Sequence, residues 1–126
     1  MILVDTSLWI DYFKGLESAL PLNALIELNS ICTNDLILAE LAPSIKFRKE
    51  NDLIHLLESI ERIPMDIEWQ EIAAFQVYNL QNGINNVGIP DLIIAQNAIQ
   101  NDMEIFARDR HFSLMKKHLG LRVFEP

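Results

Sequence analysis

The sequence predicts an α/β fold in which helices flank a central parallel sheet of about five short strands. The main observation is that short apolar runs alternate with longer segments of helical periodicity, and helices are the usual connections between parallel strands. The second is composition: 126 residues, 50% of them hydrophobic and 22% charged, suffice for a hydrophobic core. No repeat or linker interrupts the pattern, so residues 1–126 are predicted to form a single domain.

The strands are predicted from five short, mostly apolar runs. In chain order they read ILV, SIC, IERIP, EIFA and LRVF, at residues 2–4, 30–32, 60–64, 104–107 and 121–124. Such runs are typical of strands in a parallel sheet that is covered on both faces. Because helices are predicted between the strands, we expect right-handed crossovers that place helices on both sides of the sheet.

The helices are predicted from seven segments, at about residues 7–14, 18–29, 34–43, 47–58, 66–83, 90–101 and 109–118. Gly15 and Gly120 follow the first and the last segment, in the position that glycine favours after a helix. Pro21 falls in or near the first turn of the second helix, where proline is tolerated. Pro43 is predicted to end the third helix, and the stretch rich in Gly and Asn at 82–88 is predicted to be a loop.

The overall charge argues against a general nucleic-acid binding protein, which usually carries a basic face. The formal net charge is −8 and the isoelectric point is near 4.7. Half of the ten basic residues nevertheless cluster near the C-terminus, at Arg108, Arg110, Lys116, Lys117 and Arg122. They either offset the dipole of a solvated C-terminal helix or form a patch that attracts phosphate groups.

Several features predict a cytoplasmic protein that does not associate with membranes. The longest apolar stretches, such as LIIA at 92–95, are far too short to span a bilayer. Asp5 interrupts the first apolar run and no basic segment precedes it, so no secretory signal is predicted. The single cysteine, Cys32, has no partner for an internal disulfide and is expected to be a buried thiol in a reducing compartment.

Two acids are predicted at the carboxyl ends of strands, where functional groups gather in an open parallel sheet. Asp5 follows the first strand, and Asp109 follows the fourth in the segment ARDRHF. If these strands are neighbours, the two carboxylates meet at one edge of the sheet. The alternatives are structural: Asp5 as a loop or helix-start acid, and Asp109 as a helix N-cap.

Two further acids lie inside otherwise apolar helical segments: Glu40 in LILAELA and Asp91 in IPDLIIA. A helix that is apolar all round is normally buried, so Glu40 is expected to need a cation, a hydrogen-bond network or a water-filled cleft. The structural alternative for Asp91 is stabilisation by the dipole of the helix that it begins. For Glu40 it is a salt bridge with a nearby basic residue, Lys46, Arg48 or Lys49.

Together these four acids predict a site for a divalent cation. Neighbouring carboxylates repel one another and need a compensating positive charge. Oxygen ligands without a suitably spaced histidine or cysteine favour Mg²⁺ or Mn²⁺ over zinc. Thr6 and Ser7 follow Asp5 and are expected either to cap the next helix, the simpler role for Ser7, or to hydrogen-bond a metal-bound water.

At these residues the sequence resembles the PIN-domain nucleases, most closely the VapC-type toxins of toxin–antitoxin pairs. The matching segments, in the family's order, are VDTSLWIDYF with Asp5, LAEL with Glu40, PDLIIA with Asp91 and ARDRHF with Asp109. The resemblance implies a three-layer PIN-like fold in which the four acids meet in one pocket as catalytic residues and metal ligands. One departure is Ala107, where the family usually has Thr or Ser two residues before the last acid.

The resemblance also implies a metal-dependent endoribonuclease that forms a homodimer and is inhibited by a cognate antitoxin. One or two Mg²⁺ or Mn²⁺ ions would lower the pKa of a bound water and neutralise charge during hydrolysis, leaving 5′-phosphate and 3′-hydroxyl ends. The candidates for contacts with the RNA backbone are then Arg108, Arg110, Lys116 and Lys117. Large apolar residues expected either in the core or in contacts with partners are Trp9, Phe13 and Trp69.

Three other hypotheses accompany this one. A PIN-domain nuclease that processes RNA without a toxin role would differ from a toxin in lacking a neighbouring antitoxin gene. A phosphatase of the haloacid dehalogenase type would use Asp5 as a covalent nucleophile, but such enzymes have a second acid where this chain has Ser7. A phospho-receiver module needs an acidic pair at the end of the first strand, where only Asp5 is present.

Overall fold

The computed structural model describes residues 1–126 and confirms the three-layer α/β architecture, with helices around a five-stranded, fully parallel sheet. The strands are β1 (Ile2–Val4), β2 (Ile31–Thr33), β3 (Glu61–Arg62), β4 (Glu104–Phe106) and β5 (Arg122–Val123). Their order across the sheet is β3-β2-β1-β4-β5. All five lie at the predicted places, although β3 and β5 are only two residues long.

Seven α-helices connect and follow the strands. They are α1 (Thr6–Phe13), α2 (Pro21–Glu27), α3 (Asp35–Phe47), α4 (Asn51–Ser59), α5 (Trp69–Gln81), α6 (Ile89–Gln100) and α7 (Arg110–Leu119). The predicted helix at 18–29 is instead a 3₁₀ turn (Glu17–Ala19) followed by α2. The expected start of α5 at Asp66 is also wrong, because the Gln96 side chain bonds the backbone N–H and carbonyl of Glu68 and holds that residue in an extended conformation.

The prediction that Pro43 ends α3 is wrong, since the helix continues through the proline to Phe47. Proline removes one backbone hydrogen bond and crowds the preceding turn. The helix tolerates this because Ile37, Leu41 and Ile45, spaced one turn apart, are each no more than 3% exposed. Burial of this face offsets the missing hydrogen bond, and α4 consequently begins at Asn51 rather than at residue 47.

The core consists of 28 buried apolar residues between the sheet and the helices. Trp9 is fully buried in it and Phe13 is partly buried against it, whereas Trp69 is 63% exposed. Cys32 is buried as predicted, and this burial raises the pKa of its thiol to about 11, which keeps the thiol protonated and unreactive at neutral pH. None of the helices combines the length and the apolar character that crossing a bilayer requires.

β1 lies in the middle of the sheet, and the direction in which strands are added reverses there. β2 and β3 lie on one side of β1, and β4 and β5 lie on the other. Such a reversal leaves a crevice at the carboxyl ends of the two strands where it occurs, here β1 and β4. Val4 pairs with Phe106 in these strands, and the Asp5 N–H donates a 2.9 Å hydrogen bond to the Phe106 carbonyl. The crevice therefore opens beside Asp5.

Candidate metal centre

Asp5 is the most buried of the predicted acids, with 4% of its surface exposed. It follows β1 directly and is the N-cap of α1, so it has both the strand-end position and the helix-start role expected for it. Its Oδ2 accepts hydrogen bonds from the N–H of Ser7 (3.1 Å) and from the hydroxyl of Ser7 (2.6 Å). Both Ser7 donors bond Oδ2, so Oδ1 is the oxygen that is better placed to bind a ligand.

Asp91 and Asp109 lie at the beginnings of two helices that meet at the crevice. Asp91 is in the first turn of α6. Asp109 is the N-cap of α7, and its Oδ1 accepts a 2.9 Å hydrogen bond from the His111 N–H. The two carboxylate side chains remain 25% and 36% exposed. Each acid thus has the helix-start role proposed as its structural alternative, Asp91 in α6 and Asp109 in α7. Each side chain is also partly exposed at the crevice.

His111 lies between these two acids and is the site residue that the sequence analysis missed. Its Nδ1 is 3.2 Å from Oδ2 of Asp91 and 3.3 Å from Oδ1 of Asp109. One potential ligand atom from each of the three residues lies within 4.8 Å of the other two. The expectation that no histidine accompanies the oxygen ligands is therefore wrong. The available signal was a histidine two residues after the strand-end acid in RDRHF.

Glu40 approaches the same site from α3, but it is exposed. The expectation that its segment is buried all round is wrong because α3 buries only one face, and Glu40 lies outside it. The Thr6 hydroxyl donates a 2.7 Å hydrogen bond to Oε1 of Glu40, and the Glu40 charge acts on Asp5. No ion pair joins Glu40 to the basic residues suggested as its alternative partners, Lys46, Arg48 and Lys49.

The charges in this cluster are unfavourable in the absence of a cation. Burial raises the pKa of Asp5 above its ordinary value of 3.8, and repulsion from Glu40 raises it further. Hydrogen bonds from Ser7 and Thr6 oppose this rise, because they stabilise the charged carboxylate. Burial also raises the pKa of Asp91, with repulsion from Asp5 and Asp109 adding to it and the contact with His111 opposing it. The N-termini of α1, α6 and α7 offset part of this repulsion, because the positive end of a helix dipole stabilises an acid.

These residues fit a divalent cation. Two ligand atoms in adjacent positions around an octahedral ion are about 3 Å apart, close to the 3.2 Å and 3.3 Å that separate the His111 nitrogen from the two carboxylate oxygens. Carboxylates suit Mg²⁺ and Mn²⁺, and an imidazole favours transition metals. Apart from His111, no basic side chain forms an ion pair with the acids of the cluster, so a cation is the partner that the donor set lacks.

The four basic residues expected to contact phosphate groups differ in their surroundings. Arg108 has an internal partner that the sequence analysis missed, since its Nε lies 3.4 Å from Oδ2 of the buried Asp11. Lys116 forms an exposed ion pair with the C-terminal segment. Arg110 and Lys117 are exposed, form no ion pair, and lie two turns apart on one face of α7. These last two are free to contact a ligand.

Comparisons with known proteins agree with this architecture. A family model described as PIN domain matches residues 2–117. Among solved structures, FitAcB from Neisseria gonorrhoeae is 24% identical with a TM-score of 0.74, covering 100% of this chain and 98% of that one. VapBC2 from Rickettsia felis, bound to a DNA fragment from their promoter, is 21% identical with a TM-score of 0.73 and 98% coverage of both chains. A toxin-antitoxin complex from Klebsiella pneumoniae is 22% identical with a TM-score of 0.64 and 88% coverage of both. No curated protein matches the chain.

Proposed function

Since the chain belongs to the PIN-domain family, we propose that it is a metal-dependent endoribonuclease that hydrolyses RNA phosphodiesters. PIN domains are nucleases, and the matching segment, residues 2–117, is nearly the whole chain. The observation that carries the proposal is the meeting of Asp5, Asp91 and Asp109 at the N-termini of three helices, with His111 as the one basic side chain in contact with them. Such a cluster is suited to hold a cation against a phosphate group.

The residues proposed as metal ligands and catalytic groups are Asp5, Glu40, Asp91 and Asp109, with His111 as an additional ligand. Bound Mg²⁺ or Mn²⁺ would supply an activated water and positive charge opposite the scissile phosphate. The chain orients its ligands through neighbouring hydroxyls. Ser7 bonds one oxygen of Asp5, and Thr6 bonds Glu40.

We assign the attraction of the RNA backbone chiefly to Arg110 and Lys117, because both are exposed and have no acidic partner. Lys116 is a weaker candidate because an exposed ion pair already engages it. The net charge of −8 does not prevent phosphate binding, because a bound cation would make the acidic pocket attractive to phosphate. The few basic residues beside the site would add to this attraction. The proposed site of action is the cytoplasm, where cellular RNA is available as substrate.

The proposed role is that of a toxin inhibited by a cognate antitoxin. Support comes from the similar structures, which include a toxin-antitoxin complex and VapBC2 bound to promoter DNA. The antitoxin is expected to place a basic side chain among the acids of the cluster. Expression of the chain alone should arrest growth, and co-expression of its antitoxin should relieve the arrest. Cleavage of RNA without growth arrest would favour an RNA-processing nuclease.

A homodimer is the proposed assembly, supported by an exposed apolar stripe along α5. The stripe consists of Trp69, Ala73, Val77 and Leu80, which share one helical face and are all exposed. Light scattering at micromolar concentration is expected to give a dimer for the unaltered protein and a monomer for Val77→Asp. Leu28→Asp is the matched control, because Leu28 is 71% exposed on α2's C-terminal side, outside the stripe. A monomeric unaltered protein would contradict the dimer.

The nuclease proposal is tested by incubating purified protein with RNA and sequencing the 5′ ends of the fragments. Cleavage is expected in Mg²⁺ or Mn²⁺, is expected to cease in chelator, and should leave 5′-phosphate and 3′-hydroxyl ends because water rather than the ribose 2′-hydroxyl attacks. Products with 2′,3′-cyclic phosphates would point to attack by the RNA itself and would contradict the proposal.

A further inference from the structure

Asp11 is a buried acid that lies outside the metal cluster. It is on α1, and apart from Asp5 it is the only acid buried in the chain. Its Oδ2 lies 3.4 Å from Nε of Arg108 and 3.3 Å from the hydroxyl of Ser18. A buried carboxylate is destabilising unless a cation and hydrogen bonds compensate it. Its presence in α1 therefore requires an explanation.

Its partner, Arg108, belongs to the short segment that carries Asp109. This segment runs from the end of β4 to the N-cap of α7. The Arg108 N–H donates a 3.2 Å hydrogen bond to the Ser7 hydroxyl, which itself donates to Asp5. The carbonyl of Phe106 accepts from the Asp5 N–H. The beginning of α1 thus holds the backbone of this segment at two points, and the guanidinium of Arg108 adds a third contact one helical turn further along α1.

We infer that Asp11 and Arg108 form a positioning pair that sets the segment 107–109, and with it the carboxylate of Asp109, against Asp5. The inference rests on the proposed function, because it concerns the geometry of the metal ligands. Ala107 has no polar side chain with which to anchor the segment. The Asp11–Arg108 ion pair and the hydrogen bond to the Ser7 hydroxyl are the polar contacts that join this segment to the side chains of α1.

The two members of the pair differ in burial, and this difference makes the inference testable. The side chain of Asp11 is 2% exposed, whereas that of Arg108 is 61% exposed. Asp11→Asn removes the buried charge and leaves an arginine that water can solvate. Arg108→Gln leaves a buried carboxylate without its cation, which is the more damaging change. We therefore expect Arg108→Gln to melt at a lower temperature than Asp11→Asn, and the double variant to melt above Arg108→Gln.

The test compares four forms of the full chain: unaltered, Asp11→Asn, Arg108→Gln and the double variant. Loss of a group that orients a metal ligand typically reduces affinity or activity by ~10–100-fold. We expect Asp11→Asn to weaken Mn²⁺ binding in calorimetry about tenfold and to lower kcat by a similar factor, with KM for RNA little changed. The double variant is expected to lose no more than Asp11→Asn, since both changes break the same contact. It also remains informative if Arg108→Gln does not fold.

The control is a second ion pair with no contact to the cluster. Arg122 and Asp102 form an exposed pair at the amino ends of β5 and β4, whereas the cluster lies at the carboxyl ends of the strands, so Arg122→Gln and Asp102→Asn should leave Mn²⁺ affinity and kcat unchanged. A folded Asp11→Asn protein with unaltered Mn²⁺ affinity and kcat overturns the inference, even if its melting temperature falls, and leaves the nuclease proposal intact.

A further readout does not depend on catalysis. Hydrogen exchange of the Arg108 amide reports whether its bond to Ser7 persists. We expect this exchange to be at least about tenfold faster in Asp11→Asn than in the unaltered protein, and an unchanged rate overturns the positioning role. If the unaltered protein neither binds Mn²⁺ nor cleaves RNA, the proposed function fails, while the exchange rate still decides whether the pair holds the segment.

Discussion

The hydroxyl of Thr6 donates a 2.7 Å hydrogen bond to Oε1 of Glu40, and this bond joins the beginning of α1 to the middle of α3. It is the only hydrogen bond that the exposed Glu40 side chain makes, and no ion pair assists it. The orientation of Glu40 towards the cluster therefore depends on Thr6. Thr6 follows Asp5 directly in the sequence but hydrogen-bonds Glu40, whereas the hydroxyl of Ser7 hydrogen-bonds Asp5.

Thr6→Val is expected to lower the rate of RNA cleavage about tenfold, because it keeps the shape of the side chain but removes the donor that orients Glu40. Thr6→Ser keeps the hydroxyl and should retain most of the activity. Initial rates at saturating Mn²⁺ measure both effects. Equal rates for Thr6→Val and the unaltered protein would mean that Glu40 does not act through this bond.

Asp5→Asn and Asp91→Asn are each expected to lower cleavage at least about 100-fold, beyond the loss typical of a residue that only orients a ligand. Asparagine preserves the shape of each side chain, so folding is retained. Asp102→Asn is the matched control, because its side chain is 95% exposed and takes no part in the cluster. Activity of either site variant within a few-fold of the unaltered protein would remove that acid from the site.

The contribution of Asp91 to the stability of the metal-free protein is expected to decrease as the pH rises above about 4. An unfolded Asp titrates at its ordinary pKa of 3.8, whereas burial and repulsion raise the pKa of Asp91 in the folded state. Between pH 3.8 and the pKa of Asp91 in the folded protein, the folded state therefore binds more protons than the unfolded state. The stability that this proton uptake contributes is lost as the pH rises through the folded pKa. Asp91→Asn removes this contribution.

In chelator at pH 7 the Asp91→Asn protein is accordingly expected to melt at the same temperature as the unaltered protein or higher, although it is inactive. It should also lose less stability across the same pH range. Thermal melts in a pH series provide the measurement. A clearly lower melting temperature would mean that Asp91 chiefly stabilises the start of α6.

Replacement of His111 by asparagine is expected to change which metal the site prefers. The asparagine oxygen suits Mg²⁺ as well as Mn²⁺, whereas the lost imidazole favours Mn²⁺, so Mn²⁺ affinity should fall about tenfold and Mg²⁺ affinity less. Metal at 100 times Kd stabilises a protein by about 2.7 kcal/mol, and a tenfold weaker site loses about 1.3 kcal/mol of this. Melting curves in each metal reveal the difference. Equal losses for both metals would contradict a ligand role for His111.

The fold and the site differ in how far the sequence predicts them. Alternating apolar runs indicate the parallel sheet because strand and helix periods are local properties. The continuation of α3 through Pro43 is not local, since burial of its apolar face stabilises it. His111 and Asp11 were missed for the same reason. The contact of His111 with Asp91 requires two helix N-termini to meet, and Asp11 and its partner Arg108 come from opposite ends of the chain.

The N-caps of α1 and α7 are the same carboxylates, Asp5 and Asp109, that the proposed chemistry uses. In evolutionary terms, loss of activity and loss of stability are therefore linked at these positions. Alanine at an N-cap costs about 1 kcal/mol, whereas asparagine caps as well as aspartate does. A homologous protein that loses its enzyme activity but is still selected for its fold is thus expected to carry asparagine, rather than another residue type, at positions 5 and 109. Such a pair would mark an inactive but folded descendant.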